Sequence, residues 1–425
     1  MLRNRQQKHT AKPLCVTIKK PASMIENDIF GLEREKRILK SGVRNVFTPH
    51  QPIQSINLFF GRQQEVSKLI EYLNTPGQHA LLFGDRGVGK SSLANVTAEL
   101  LLRHITNGNL IKKRCDSCDT FLSVVSVILS HAGIDTNIIE KTDNKGVSVG
   151  AASSNFGASH SVKSLGFGAN ANSPSWVAKQ VGHIEGLFLI DELDSLKDFN
   201  DKKKIAELVK QLSDEGAKLK LLIVGIAETA NDLTAGHPSV HRCLKETRLN
   251  RMGKEELKLI INQGQKQIDL TFNPKAIDRI VNVSSGYPHF THLLALKSAE
   301  EAIVVERKNI EITDVKRATN MAVEDAEGTL RKSYLDAIRS SNTTEYKNII
   351  SAAATCNDEE FKAKELRNQY LKLFNKEISQ GTLNNYLVRL VSDDGSKIIR
   401  RLGKGVYRFS DPRMPSFIRI AHTLL

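Results

Sequence analysis

Long apolar runs are missing from this sequence. Nowhere in its 425 residues does a hydrophobic stretch approach the roughly 18 to 20 residues that a membrane-spanning helix requires. Residues 1–12 are basic and polar with no apolar segment behind them, so no secretory leader is expected. Cysteine is scarce. The five present, an odd number spread along the chain, argue for free thiols in a reducing compartment. A cytoplasmic location is the resulting expectation. The CxxC from Cys115 to Cys118 lacks the second Cys or His pair of a zinc site and reads as structural. No constellation suited to nucleic acid cleavage is present, so any such chemistry falls to a separately encoded effector such as a nuclease or transposase.

The chain is long enough for two or three domains. Its net charge of +14 is unevenly placed. Residues 1–44 hold 11 Lys and Arg against 4 Asp and Glu, and residues 330–425 hold 17 against 10. The residues between carry 33 of each and are neutral. A basic excess confined to both ends directs those ends, rather than the middle, at a polyanion. Plain solubilising tails are the alternative.

Residues 1–52 read as a basic arm and linker with one helical stretch over 27–40, closed by Pro49 and Pro52. From residue 53 the pattern becomes regular. Helices are expected over 63–73, 90–104, 120–131 and 202–212, and strands over 79–83, 109–115, 186–190 and 220–226. Strands alternating with helices predict a parallel sheet covered on both faces, spanning 53–252. Within it, residues 143–174 are dominated by Gly, Ala, Ser and Asn. That composition suits a long insertion, either a hairpin or a mobile loop. Residues 253–329 read as helical with no strand signal, a small lid. From 330 to 425, helices over 343–354, 362–374 and 379–391 precede a hairpin over 397–409, the pattern of a winged helix-turn-helix.

Residues 84–91 read GDRGVGKS, a G-x-x-x-x-G-K-S pattern set between strand and helix, which is the context a phosphate cradle needs. Gly84, Gly87 and Gly89 let the backbone bend so that N–H groups of Asp85, Arg86 and Val88 point inward. The helix that follows, through Ser92, adds its positive dipole end. Lys90 is expected on the β- and γ-phosphates of ATP, and Ser91 on Mg²⁺. Downstream, LFLIDELD supplies an apolar strand that delivers Asp191 and Glu192 to its C-terminal edge. Asp191 is the expected second Mg²⁺ holder and Glu192 the group that orients the attacking water. In isolation such an acidic pair is an ordinary helix N-cap.

With these motifs in place, the sequence resembles the AAA+ and STAND-type ATPases, nearest the branch of origin-recognition initiators and transposition-regulator ATPases. The resemblance covers about residues 53–300. FFGRQQE, containing Gly61 and Arg62, is similar to the box that lies near the adenine in that group. GYPHF, containing Pro288, is similar to a lid motif that lies against the nucleotide. Two departures stand out. His289 and His292 replace the arginine that initiators carry near this position, and Glu228 and Thr229 stand where a sensing Asn, Ser or Thr is usual. Arg242 stands where the group places a finger that reaches a neighbouring subunit, implying a homo-oligomer; Arg248 and Arg251 compete for that role.

The resemblance and the charges together imply an α/β, P-loop (AAA+) core with a helical lid and a winged-helix domain. The function expected is an ATP-hydrolysing switch that associates with double-stranded DNA. In such a module the second helix lies in the major groove. Gln380, Thr382, Asn384, Asn385 and Arg389 are suited to base edges, and Lys397, Arg400, Arg401, Lys404 and Arg408 to phosphates. The rival implication is a STAND-like signalling or antiviral defence regulator, whose C-terminal module meets a protein effector or covers the nucleotide.

Overall fold

The structure is a computed structural model that describes residues 30–106, 108–134, 170–226, 230, 233, 238–324, 328–340, 343–356, 360–392 and 396–422. Five strands form its central sheet: β1 (His79–Gly84), β2 (Asn109–Arg114), β3 (Gly186–Asp191), β4 (Leu219–Gly225) and β5 (Leu244–Leu249). Their order is β2-β3-β4-β1-β5 and every neighbouring pair is parallel. Side chains alternate across a strand, so successive residues enter opposite cores. Leu81, Phe188, Ile190, Leu221 and Ile223 pack on one face. Ala80, Leu82, Leu187, Leu189, Leu222 and Val224 pack on the other, in a core continuous with the lid and the C-terminal module.

Four of these strands match the sequence expectation. The fifth, β5, was missed because its LKETRL sequence alternates apolar and charged residues at the sheet edge, where one face is solvated. The helix expected over 90–104 runs from Lys90–Leu101 and then widens into a π-helical turn, Leu102–Thr106. The Phe121–His131 helix starts at a capping box between Thr120 and Ser123. The Gly- and Ser-rich segment over 143–174 lies outside the described residues except at its end, which leads into the Pro174–Val181 helix.

The lid holds helices Lys254–Gly264, Pro274–Ser284, Pro288–Val304 and Ile312–Glu324. It is not purely helical. Two-residue strands β6 (Thr271–Phe272) and β7 (Asn309–Ile310) pair in parallel, and elements this short leave no periodicity to read. The N-terminal Leu32–Ser41 helix packs on the Pro288–Val304 helix, with Arg44 bridging Glu35 and the buried Glu300 at 2.7 Å each.

The C-terminal region contains helices Glu345–Ala354, Ala363–Phe374 and Gln380–Val391. Its sheet has one strand more than the expected hairpin. β8 (Glu360–Lys362) pairs with β10 (Val406–Phe409), which pairs with β9 (Ile399–Gly403), all antiparallel. A last helix, Met414–His422, also absent from the sequence reading, packs on the lid helices Pro274–Ser284 and Ile312–Glu324. The turn before it therefore reaches the nucleotide-binding edge of the sheet.

Candidate nucleotide site

Residues 84–91 form the turn between β1 and the Lys90–Leu101 helix. Gly87 has φ 81°, a left-handed value that favours glycine, and a Cβ there would come within 3.0 Å of Arg413 Cδ. A Cβ on Gly84 would lie 2.3 Å from the Leu249 carbonyl oxygen. Both glycines are therefore required by space as well as by the bend. The Lys90 ammonium donates to the carbonyl oxygens of Gly84 (2.9 Å) and Asp85 (2.8 Å). Burial holds its pKa below the usual lysine value, against the pull of Asp194, Asp191 and Asp85.

Asp191 ends β3 beside this loop. Its carboxylate accepts the Glu192 N–H at 2.9 Å and a hydrogen bond from Ser91. Burial nevertheless raises its pKa. Glu192 follows in the left-handed region, φ 56°, a conformation uncommon for a residue with a Cβ. Its two carboxylate oxygens are gripped by Arg114, Nε at 3.0 Å and Nη2 at 2.7 Å. Arg114 ends β2 directly beside Asp191 in the sheet register. Such a two-pronged pair fixes direction as well as position, and it holds Glu192 away from free rotation.

These groups face one cavity of about 480 Å³. Arg86 to Ser92, Asp191, Glu192, Asp194 and Arg114 line its floor, and Pro288, His289 and His292 its lid side. The wall opposite is a strap, residues 48–53, docked by three polar contacts. Thr48 N–H donates to His292 Nδ1 at 3.2 Å, His289 Nδ1 donates to the Pro49 carbonyl at 2.8 Å, and Ile53 N–H donates to Ser92 Oγ at 3.0 Å. Burial pushes the His292 imidazole down to about 4, so it stays neutral and able to accept. Arg62 is buried, lines the cavity, and pairs with Glu65 at 2.8 Å. Gly61, φ 79°, closes against Met252 behind it. Gly84 and Asp85 line an adjoining cleft that shares Arg86 and Ile226 with this cavity.

The C-terminal region completes the enclosure. Arg413 is 9% exposed and faces the same cavity beside Gly87. Its guanidinium is held by Asp411 at 2.8 and 3.1 Å, and the Tyr287 hydroxyl donates to the Pro412 carbonyl at 2.6 Å. Sequence reasoning missed Arg114, Arg413 and the strap. Arg114 carried no local signal, since it meets Glu192 only through the β2–β3 pairing. Nor did Arg413.

Other expected residues lie apart. Arg242 sits at the opposite edge of the sheet from the loop, 70% exposed in its side chain and paired with Asp214 at 2.8 Å. It does not line the nucleotide cavity of this chain. Glu228 and Thr229 lie outside the described residues. In the Gln380–Val391 helix, Gln380, Asn384 and Asn385 are exposed, with Gln380 donating to Asn384 at 2.9 Å. Arg389 departs from expectation: its guanidinium lies 4.3 Å from the centre of the Tyr346 ring and donates to the Asp336 carbonyl. A stacked, hydrogen-bonded guanidinium is occupied in holding helices together. Lys397, Arg400, Arg401 and Lys404 are exposed on or beside the hairpin, Arg401 donating to the Gly403 carbonyl at 3.3 Å.

A phosphate loop at the C-terminal edge of a five-stranded parallel sheet, with an acidic strand end beside it and a helical lid above, defines a P-loop nucleoside triphosphatase of the AAA+/STAND type. A family model, "Novel STAND NTPase 1", matches residues 50–297, more than half of the sequence. The chain belongs to that family. The curated proteins give no match. Among solved structures, the Aeropyrum pernix ORC2 protein in its ADPNP-ADP complexes has a TM-score of 0.51 at 16% identity, covering 90% of this chain and 97% of that one. The Walker-type ATPase PABY2304 of Pyrococcus abyssi has 0.49 at 18% identity, covering 88% and 99%. The Aeropyrum pernix ORC1 protein in complex with DNA has 0.46 at 13% identity, covering 90% and 98%. Among the described residues no helix is long and apolar enough to cross a membrane.

Proposed function

We propose that this chain is a Mg²⁺-dependent ATPase acting as a conformational switch, which assembles with copies of itself and associates with duplex DNA through a C-terminal winged helix. The observation that carries the reading is the convergence of loop, acidic strand end, strap, lid and C-terminal turn on one cavity. Gly61, Arg62 and the strap take the adenine side. Residues 84–92 wrap the phosphates, and Lys90 exchanges two loop carbonyls for phosphate oxygens. Pro288 closes from the lid.

The donor set fits a hard divalent cation, because the Ser91 hydroxyl and Asp191 carboxylate are already in contact. Bound there, Mg²⁺ would neutralise charge on the phosphates. Glu192 orients and polarises the attacking water once it leaves Arg114. Thr229 is the candidate sensor, and Arg242 reaches in from a neighbouring copy. ATP favours the closed state only through its greater affinity for that state. The DNA side rests on the exposed amides of Gln380, Asn384 and Asn385 and the basic hairpin.

Lys90→Ala tests the nucleotide half: ATP binding and turnover should both collapse. Wild-type turnover in this variant would sink it. Duplex binding, read by fluorescence anisotropy, should weaken steeply with salt, and Arg401→Ala with Lys404→Ala should flatten that dependence. A second reading has its own support. Val388 and Leu402, apolar and 68% and 47% exposed, lie on the same module, which suits a protein effector. No duplex binding at low salt would transfer the weight there.

A further inference from the structure

The P-loop has a second side. Adjoining the nucleotide cavity, and sharing Arg86 and Ile226 with it, lies a second cleft of about 480 Å³, walled by Gly84, Asp85 and Arg86 of the loop and by the β9–β10 hairpin and the turn after it. Four arginines line it: Arg86, Arg251, Arg400 and Arg408. Two of them, Arg400 and Arg408, are directly opposite each other on the antiparallel ladder. Like charges in that relation repel; Glu360 of β8 stands opposite Arg408 on its other side, exposed and with no ion pair to either arginine among the described residues. Among the described residues, the side chains of Arg86, Arg400 and Arg408 have no ion-pair partner.

The acids of the cleft do not balance this charge. Asp411 has both carboxylate oxygens on Arg413, on the nucleotide side of the turn. Asp85 is the other carboxylate in the lining. The Arg251 guanidinium lies 4.9 Å from the centre of the Tyr287 ring, which fixes its position at the cleft wall. On the hairpin, the alternate residues Ile399 and Tyr407 are buried on the other face, which sets Arg400 and Arg408 on the face toward the cleft.

We propose that this cleft is a second phosphate site, beside the Walker A cradle and sharing Arg86 with it, that takes a phosphate ester or pyrophosphate group. Guanidinium forks match phosphate oxygens two at a time, and an anion between Arg400 and Arg408 converts their repulsion into paired attraction. The volume suits a small-ligand site. The phosphate comes from either of two sources, a free phosphorylated molecule or the backbone of a nucleic acid strand. Because the site shares Gly84 to Arg86 with the nucleotide loop, its occupant sits where loop closure is felt. The inference goes beyond the ATPase reading and does not require it.

The experiment uses the full chain with Lys90→Ala, which silences the first site. Inorganic pyrophosphate is titrated calorimetrically into this variant. Binding should persist there and weaken by about tenfold or more when Arg400→Ala and Arg408→Ala are added. Arg400→Lys with Arg408→Lys, which keeps charge but loses the fork, should fall between. Matching melting temperatures of the unliganded variants establish that the fold is intact. Loss of all pyrophosphate binding in Lys90→Ala alone overturns the proposal, as does unchanged affinity in the arginine variants. A short single-stranded oligonucleotide that displaces pyrophosphate assigns the site to backbone phosphate. Failure to displace it assigns the site to a free phosphorylated molecule.

Discussion

Two cavities of nearly equal volume flank the same loop, and their charges are arranged in opposite ways. In the nucleotide cavity most charges are already engaged, Lys90 on two carbonyls, Glu192 on Arg114, Arg413 on Asp411 and Arg62 on Glu65, while Arg86 is shared with the cleft beside it. In the adjoining cleft, Arg400 and Arg408, with the shared Arg86, have no ion-pair partner among the described residues. A wired site exchanges partners when its ligand arrives, so removing one member alters a step. An unbalanced site awaits a ligand, so removing a member alters affinity alone.

The largest effect should come from breaking the wired side at its reacting group. Glu192→Gln keeps shape and one acceptor oxygen for Arg114 but loses the base, so ATP turnover should fall by about 10² to 10⁴ while ATP still binds. Single-turnover kinetics with direct binding measurements separate the two, and unchanged turnover would remove Glu192 from the chemistry.

Acid should come next, acting on the strap. His292 is buried and neutral, with its pKa lowered from 6.5 to about 4. The unfolded chain therefore binds a proton that the folded chain refuses. Its contribution is fully present above about 6.5 and is lost as pH falls toward 4, at about 1.4 kcal/mol per unit within that window. His422, also lowered to about 4, adds to the same slope. Melting temperature followed from pH 7.5 downward reads the loss, and a flat profile would contradict the buried neutral state. His292→Asn should flatten part of it.

The smallest effect sharpens the boundary between the two cavities. Arg413→Ala removes the side chain that covers Gly87 from the C-terminal turn. Nucleotide affinity should drop by up to about tenfold, measured with a fluorescent ATP analogue, while pyrophosphate binding to the adjoining cleft in Lys90→Ala remains. Equal loss at both sites would mean that the turn supports the loop as a whole.

Much of the core was legible because its signals are local. GDRGVGKS carries its own bend in its glycines, and the apolar runs of β1, β3 and β4 announce strands buried on both faces. The edge strand β5 was not legible, since solvation of one face dilutes its pattern. Arg389 was misread for another reason. Its position on the helix suggested exposure, but Tyr346, on a different helix, covers it.

By itself, then, the sequence determined that a phosphate loop, an acidic strand end and a sheet to hold them would exist in that order. Those features depend on backbone geometry and on residues within a few positions of each other. Tertiary structure decided what surrounds the loop: Arg114 on Glu192, the strap on His292, Arg413 on Gly87 and the opposed arginines beside it. Apart from the hairpin arginines, these pairs are far apart in sequence: Arg114 meets Glu192 through the β2–β3 pairing, and the strap and Arg413 reach the loop because the lid and C-terminal helices share one apolar core with the sheet. No spacing along the chain encodes that closure; the packing of that core does.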